Sequence, residues 1–240
     1  MGLAIPAIFH KSLQGGSLTE EDLLQKTTEL SRIIAILLII AYCVFVFFQM
    51  RTHHGIFDAV YEQDEHRDED GHKDVHRAKL TLTECVVALA VSVALVTLLA
   101  IALVSEIPSI VHEQHVSDPF MGLILVPLVE KAAEHLTALD EAWDNQINFA
   151  LSHCIGATIQ TAMLNAPLVV IVGWGLNLPM DFSFEIFDVV MLIVAIITVG
   201  NFLRDQKSDY LEGFLCITVY VAIAVAAALY PNPPEVLEHH

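Results

Sequence analysis

Two glutamates, a lysine and a histidine occupy a run that a bilayer helix would keep apolar: Gly122-Leu-Ile-Leu-Val-Pro127-Leu-Val-Glu130-Lys131-Ala-Ala-Glu134-His135. Ionisable groups at such depth are costly, and they line a bundle interior or a water-filled path. On a continuous helix, residues three and four apart share a face. That register predicts that Glu130 projects with Glu134, and Lys131 with Glu134 and His135. Two carboxylates on one face can hold Ca²⁺ or take up protons. They can do one in exchange for the other, because metal and proton compete for the same lone pairs. Lys131 offers the opposite outcome, a standing ion pair that neutralises Glu130.

A second wall comes from residues His153, Gly156, Ala157 and Gln160, one stripe at i, i+3, i+4 and i+7. The small pair Gly156 and Ala157 permits close helix approach. The Gln160 carbonyl is a hard oxygen suited to Ca²⁺, and it serves equally as hydrogen-bond glue between helices. His153 reads as a structural histidine that pairs with or modulates the site. Ca²⁺ takes roughly 6–8 oxygens. Glu134, Gln160 and a few backbone carbonyls cannot fill that shell, so the remaining ligands are expected from a partner surface.

The elements that must hold these residues are membrane helices. The chain has 240 residues, of which 55% are hydrophobic and only 17% charged, too few charges for an ordinary soluble domain. Residues 1–29 read as a helix remnant, 1–9, followed by a polar segment in which Ser17 or Thr19 caps a short amphipathic helix. Residues 30–50 are the first spanning helix. Residues 51–80 are a hydrophilic connector with acidic side chains and five histidines (His53, His54, His66, His72, His76), expected to be solvated and partly disordered. A weak cation- or proton-sensing role for that loop is the alternative. The segment 81–230 holds a second span at 81–110, ended by Glu106-Ile-Pro108, and then the broken or re-entrant stretch around Pro119 and Pro127. Further spans come at 147–176, 183–202 and 210–230. The tail 231–240 ends in Leu237-Glu-His-His240, which reads as a tag remnant, so both ends look cut.

Alternating sides from residue 30 places Arg51, Arg67, Lys73, Arg77, Lys79, Arg204 and Lys207 on one face. The other carries only Lys11, Lys26 and Arg32. That asymmetry predicts that the acidic loop 51–80 is cytosolic. The net charge of −18 excludes nucleic acid as a partner and suits the gathering of cations at a membrane surface. Cys43, Cys85, Cys154 and Cys216 lie singly in apolar runs, without zinc or redox spacing. No His pair with a carboxylate has the spacing of a zinc hydrolase, so the chain is not read as an enzyme, and no resident cofactor is expected.

The run Gly122-x-x-Leu-x-Pro127-x-x-Glu130-Lys131-Ala-Ala-Glu134-His135 resembles the second α-repeat of the cation/H⁺ exchangers of the vacuolar Ca²⁺/H⁺ antiporter type. So does Asn148-Phe-Ala-Leu-Ser-His-Cys-Ile-Gly156-Ala-Thr-Ile-Gln160, with Ala166-Pro167 and Gly173-Trp174. The resemblance covers about residues 30 to 230. It implies an all-α integral membrane protein of about six transmembrane helices, half of an inverted-repeat antiporter fold with a broken helix at the ion site. It places the central carboxylate at Glu134, followed by His135, and the amide ligand at Gln160. The family usually has Gly-Asn where this chain has Glu130-Lys131, and a serine where it has Ala157. The implied function is Ca²⁺ (or Mn²⁺)/H⁺ antiport across a vacuolar or other endomembrane. The implied partners are the bilayer and either a missing N-terminal half or a second copy. Alternatives are a non-transporting membrane interaction or regulatory module, and a monovalent cation/H⁺ exchanger.

Overall fold

The computed structural model describes residues 2–16, 19–67, 80–113, 116–205, 207 and 209–232. Among them every regular element is helical. The helices are α1 (Ala4–Leu13), α2 (Glu20–Phe47), α3 (His54–Glu65), α4 (Leu82–Glu113), α5 (Asp118–Phe120), α6 (Val126–Glu130), α7 (Ala132–Trp143), α8 (Ile147–Gln160), α9 (Ala166–Gly175), α10 (Ile186–Phe202) and α11 (Tyr210–Ala228). Five-residue π turns at Phe48–Thr52, Met121–Leu125 and Thr161–Asn165 come directly after α2, α5 and α8. Four stretches, Glu20–Thr52, Leu82–Val111, Ile147–Gly175 and Tyr210–Ala228, are long and apolar enough to cross a membrane. The helix Ile186–Phe202 is a shorter apolar one. The chain divides into two compact units, one of residues 1–68 and 133–213, the other of residues 69–132 and 214–240.

In the first unit α2 is the central column. Thr19 caps it, its hydroxyl oxygen accepting from the Asp22 amide at 3.2 Å. The Ser17 alternative lies outside the described residues. The helix then runs without interruption to Phe47, so the expected amphipathic segment and first span are one helix. Hydropathy changes along it, but the backbone hydrogen bonding does not. Its inward face, Leu23, Thr27, Ser31, Ile34 and Ala35, is buried. The two hydroxyls on that face donate to carbonyls one turn back, Thr27 to Leu23 and Ser31 to Thr27, both at 2.8 Å. Ser31 Oγ also accepts the Phe182 amide at 3.1 Å, which ties the 176–185 loop to the column. Phe182, Ile34, Ala35 and Val170 form the core between α2 and α9. A smaller cluster of Ala4, Ala7 and Val189 joins α1 to α10.

The turn after α9 requires a glycine. A Cβ on Gly173 would stand 2.5 Å from Met180 Cγ, because the chain folds back there through Asn177, at φ 58. Arg32 lies 5.1 Å over the Trp174 ring at this same end.

The predicted connector 51–80 is corrected over its first part. Residues 54–65 are the helix α3, packed on α8; residues 68–79 lie outside the described set.

In the second unit, Thr81 and Glu84 form a reciprocal capping box on α4. The Thr81 amide donates to the Glu84 carboxylate at 2.8 Å. The apolar window of α4 is nowhere buried within the chain, as expected of a helix whose surroundings are lipid or other protein. Pro108 does not end this helix, which continues to Glu113; a proline inside an apolar helix is tolerated when its surroundings or small local adjustments satisfy the freed carbonyl. Asn232 accepts from the Asp118 amide at 2.7 Å and so fixes the start of α5. Residues 233–240, including the supposed tag remnant, are outside the described set.

Candidate functional site

The motif-bearing stretch is broken, as the two prolines and the short spacing predict. Its π turn Met121–Leu125 leads directly to Val126-Pro127. Proline removes an amide donor and its ring presses on the carbonyl four residues back, so a widened turn just before it relieves the clash. The helix α6 then lasts only to Glu130. Lys131 leaves helical geometry, at φ −96 and ψ 8, while its amide still reaches the Pro127 carbonyl at 2.9 Å. The face predicted to align Glu130 with Glu134 presumes an unbroken helix, and Lys131 interrupts it. Lys131 itself meets its sequence neighbour, with Nζ 3.5 Å from Glu130 Oε1, and the Glu130 side chain is 63% exposed. The local pairing that Lys131 offers Glu130 is therefore present.

Glu134 and His135 stand in the first unit, in the opening turn of α7. Amide groups at a helix start have no helical acceptors, and together with the helix dipole they favour a carboxylate at that position. Glu134 is half-buried and His135 exposed. His135 lines an apolar groove of about 310 Å³ together with Ala138, Leu139, Ala150, Leu151 and Cys154, between α7 and α8.

Along α8 the predicted stripe divides. His153 Nδ1 lies 2.7 Å from Glu141 Oε2, which ties α8 to the last part of α7. Gln160 is exposed as the last residue of α8, and the π turn Thr161–Asn165 begins at once beyond it. The amide ligand candidate and the carboxylate candidate thus each sit beside a helix discontinuity, where backbone groups lose their regular partners. Among the described residues no three His, Cys, Asp or Glu side chains converge to hold a metal ion. The four cysteines are free.

One constellation is invisible to sequence periodicity. Asp64, fully buried, accepts from the Asn148 amide at 2.8 Å, from Asn148 Nδ2 at 2.8 Å and from the Phe149 amide at 3.2 Å. Tyr61 stacks on Phe149, ring centres 4.6 Å apart, and its hydroxyl meets Ser152 Oγ at 2.9 Å. The only available signal is the i, i+3 spacing of Tyr61 and Asp64 within an otherwise polar stretch.

A family profile described as "Sodium/calcium exchanger protein" matches residues 85–229. The vacuolar calcium ion transporter of Schizosaccharomyces pombe is 33% identical over 230 residues, covering 96% of this chain and 53% of that relative. The Ca(2+)/H(+) antiporter of Aphanothece halophytica is 32% identical over 211 residues, covering 86% of this chain and 57% of its own length. Vacuolar cation/proton exchanger 2 of Arabidopsis thaliana is 28% identical over 237 residues, 98% of this chain and 52% of the relative. The chain spans about half the length of these curated relatives. The solved structure of native YfkE shares the fold, with a TM-score of 0.68 at 22% identity over 95% of this chain and 62% of that one.

Proposed function

Because this chain belongs to the sodium/calcium exchanger protein family, we propose that it is the C-terminal half of a Ca²⁺ (or Mn²⁺)/H⁺ antiporter of a vacuolar or related endomembrane. The observation that carries this reading is Glu134. It is a carboxylate in the first turn after a helix break, in a chain with four stretches among the described residues long and apolar enough to span a bilayer. An interrupted helix leaves backbone groups without regular partners where a continuous one leaves none. The cycle then needs only competition. Protonated Glu134 releases the cation; deprotonated Glu134, with the Gln160 carbonyl and nearby backbone oxygens, receives the next one. The rest of the shell comes from the other half of the transporter or from a second copy. The segment 51–80 faces the cytosol, as the distribution of basic residues argues.

The test is pH-gradient-driven Ca²⁺ uptake by the full-length protein in vesicles. Glu134→Gln keeps the shape and removes the titrating oxygen, so uptake should fall to background. Undiminished uptake by that variant ends the reading.

The Glu130–Lys131 contact favours a second reading. A lysine that stays beside the site lowers divalent affinity by Coulomb repulsion, which suits monovalent cation/H⁺ exchange, or a non-transporting module in which the pair is structural. Saturable ⁴⁵Ca²⁺ binding to the intact protein separates these outcomes. Binding supports divalent transport; its absence alongside Na⁺- or K⁺-dependent proton flux supports the monovalent exchanger; absence of both supports the module.

A further inference from the structure

The contacts of α3 form a grip on one end of α8, and α2 holds the chain beyond the other end. Asp64 receives both backbone amides at positions 148 and 149 as well as the Asn148 side chain, and Tyr61 engages Phe149 and Ser152. Beyond Gln160, α2 packs on the Thr161–Asn165 turn and on α9, through Ile34, Ala35 and Val170. One continuous segment, α2 then the Phe48–Thr52 turn then α3, therefore holds the Ile147–Gly175 rod at both ends. The elbow between α2 and α3 is itself braced. His53 stacks on Phe48 at 4.0 Å, its amide reaches the Phe48 carbonyl at 2.9 Å, and its Nδ1 meets Thr52 Oγ1 at 2.9 Å. Gln160 sits between the two holds, with its turn of α8 adjoining the π discontinuity.

We propose that Asp64 is a positioning residue for Gln160: its buried carboxylate fixes the rotation and axial setting of α8, and so the place at which the Gln160 carbonyl meets the transported cation. Ligand geometry is sensitive to such settings, because a carbonyl displaced by about 1 Å no longer belongs to a cation's shell. A buried carboxylate with three donors is also a more demanding anchor than a hydrophobic contact. Removing it leaves two amides and a side-chain amide without their acceptor. The proposal rests on the assignment of Gln160 as a ligand in the antiport reading.

The experiment uses the full-length protein in vesicles, with uptake normalised to folded transporter. Asp64→Ala should raise the KM for Ca²⁺ about 5–10-fold while the maximal rate stays within about twofold, the signature of a binding defect. In a Gln160→Ala background the same substitution should add no further rise, because it acts through the residue already lost. Asn148→Asp sets a second carboxylate against Asp64 and should show the defect, because neither side chain can donate. Combining it with Asp64→Asn restores one donor and one acceptor between the two side chains and should restore the KM. A KM that stays at the parent value in Asp64→Ala, full additivity with Gln160→Ala, or failure of the exchanged pair to rescue each overturns the proposal.

If the parent protein itself takes up no Ca²⁺, the antiport reading has failed, and hydrogen exchange on the same vesicles decides the mechanical claim. Faster exchange in Asp64→Ala that extends from residues 148–152 to 157–160 upholds the positioning of Gln160. A change confined to 148–152 overturns it.

Discussion

The chain makes the same backbone device twice and finishes it differently. Met121–Leu125 and Thr161–Asn165 are both five-residue π turns, and in each case a proline, Pro127 or Pro167, occupies the second position of the helix that resumes. After Pro127 the helix lasts three more residues and stops at Lys131; after Pro167 it continues to Gly175. Proline and the widened turn are common to both, so they cannot decide the outcome. Packing and composition differ. Pro167, Val170 and Gly173 are buried, against α2 and the returning loop, whereas Val126–Glu130 contains no buried residue. The first helix runs into Glu130 and Lys131, the second into Leu-Val-Val-Ile-Val. A proline sets where a helix can yield, and its neighbours determine whether it does.

That contrast can be broken from the packed side. Phe182→Ala empties the core that holds α9 to α2, and should cost about 3 kcal/mol of stability. Leu128→Ala, on an exposed position of the first break, should cost under about 1 kcal/mol. Thermal melting in one detergent compares the two; equal losses would refute the packing account. Next in size, Gly173→Ala drives a methyl into Met180 and should destabilise by about 2 kcal/mol, read in the same melts. Lys131→Gln removes the fixed charge at the first break. It should tighten ⁴⁵Ca²⁺ binding to the full-length protein about 3- to 5-fold, the equivalent of roughly 1 kcal/mol for a solvated charge. Smallest is Gly122→Ala, whose added methyl meets open space. Its stability should move by no more than about 0.5–1 kcal/mol, the helix-propensity difference between the two residues.

Sequence is most legible where one physical property dominates. Apolar runs mark the spans near 30–50, 81–110, 147–176 and 210–230, and the prolines mark the break ahead of Glu134. It is less legible where polar residues continue a structure that apolar ones began. The segment 20–29 is polar, yet Thr19 and unbroken backbone bonding make it part of α2. The helix α3 docks through Tyr61 and Asp64, two residues that no hydropathy profile registers. Pro108 reads as a terminator because the rule derives from helices in water, and α4 passes through it. The expected carboxylate face fails at a single residue, since periodicity arguments extend a helix until something stops it, and Lys131 leaves the helix on backbone angles that no spacing reveals.

The guanidinium of Arg32 over the indole of Trp174 also serves as a depth gauge. Tryptophan and arginine both favour the level where hydrocarbon gives way to headgroups, so this pair is a reference for a waterline on one leaflet. From it, residues 33–52 of the first span reach about 30 Å, one hydrocarbon thickness, and meet the opposite boundary at the Phe48–Thr52 elbow. Gln160 lies fourteen residues before Trp174 and thirteen after Ile147, about 20 Å below that waterline. If Gln160 receives the cation as proposed, its oxygen is offered at that depth and not at the mouth of the path.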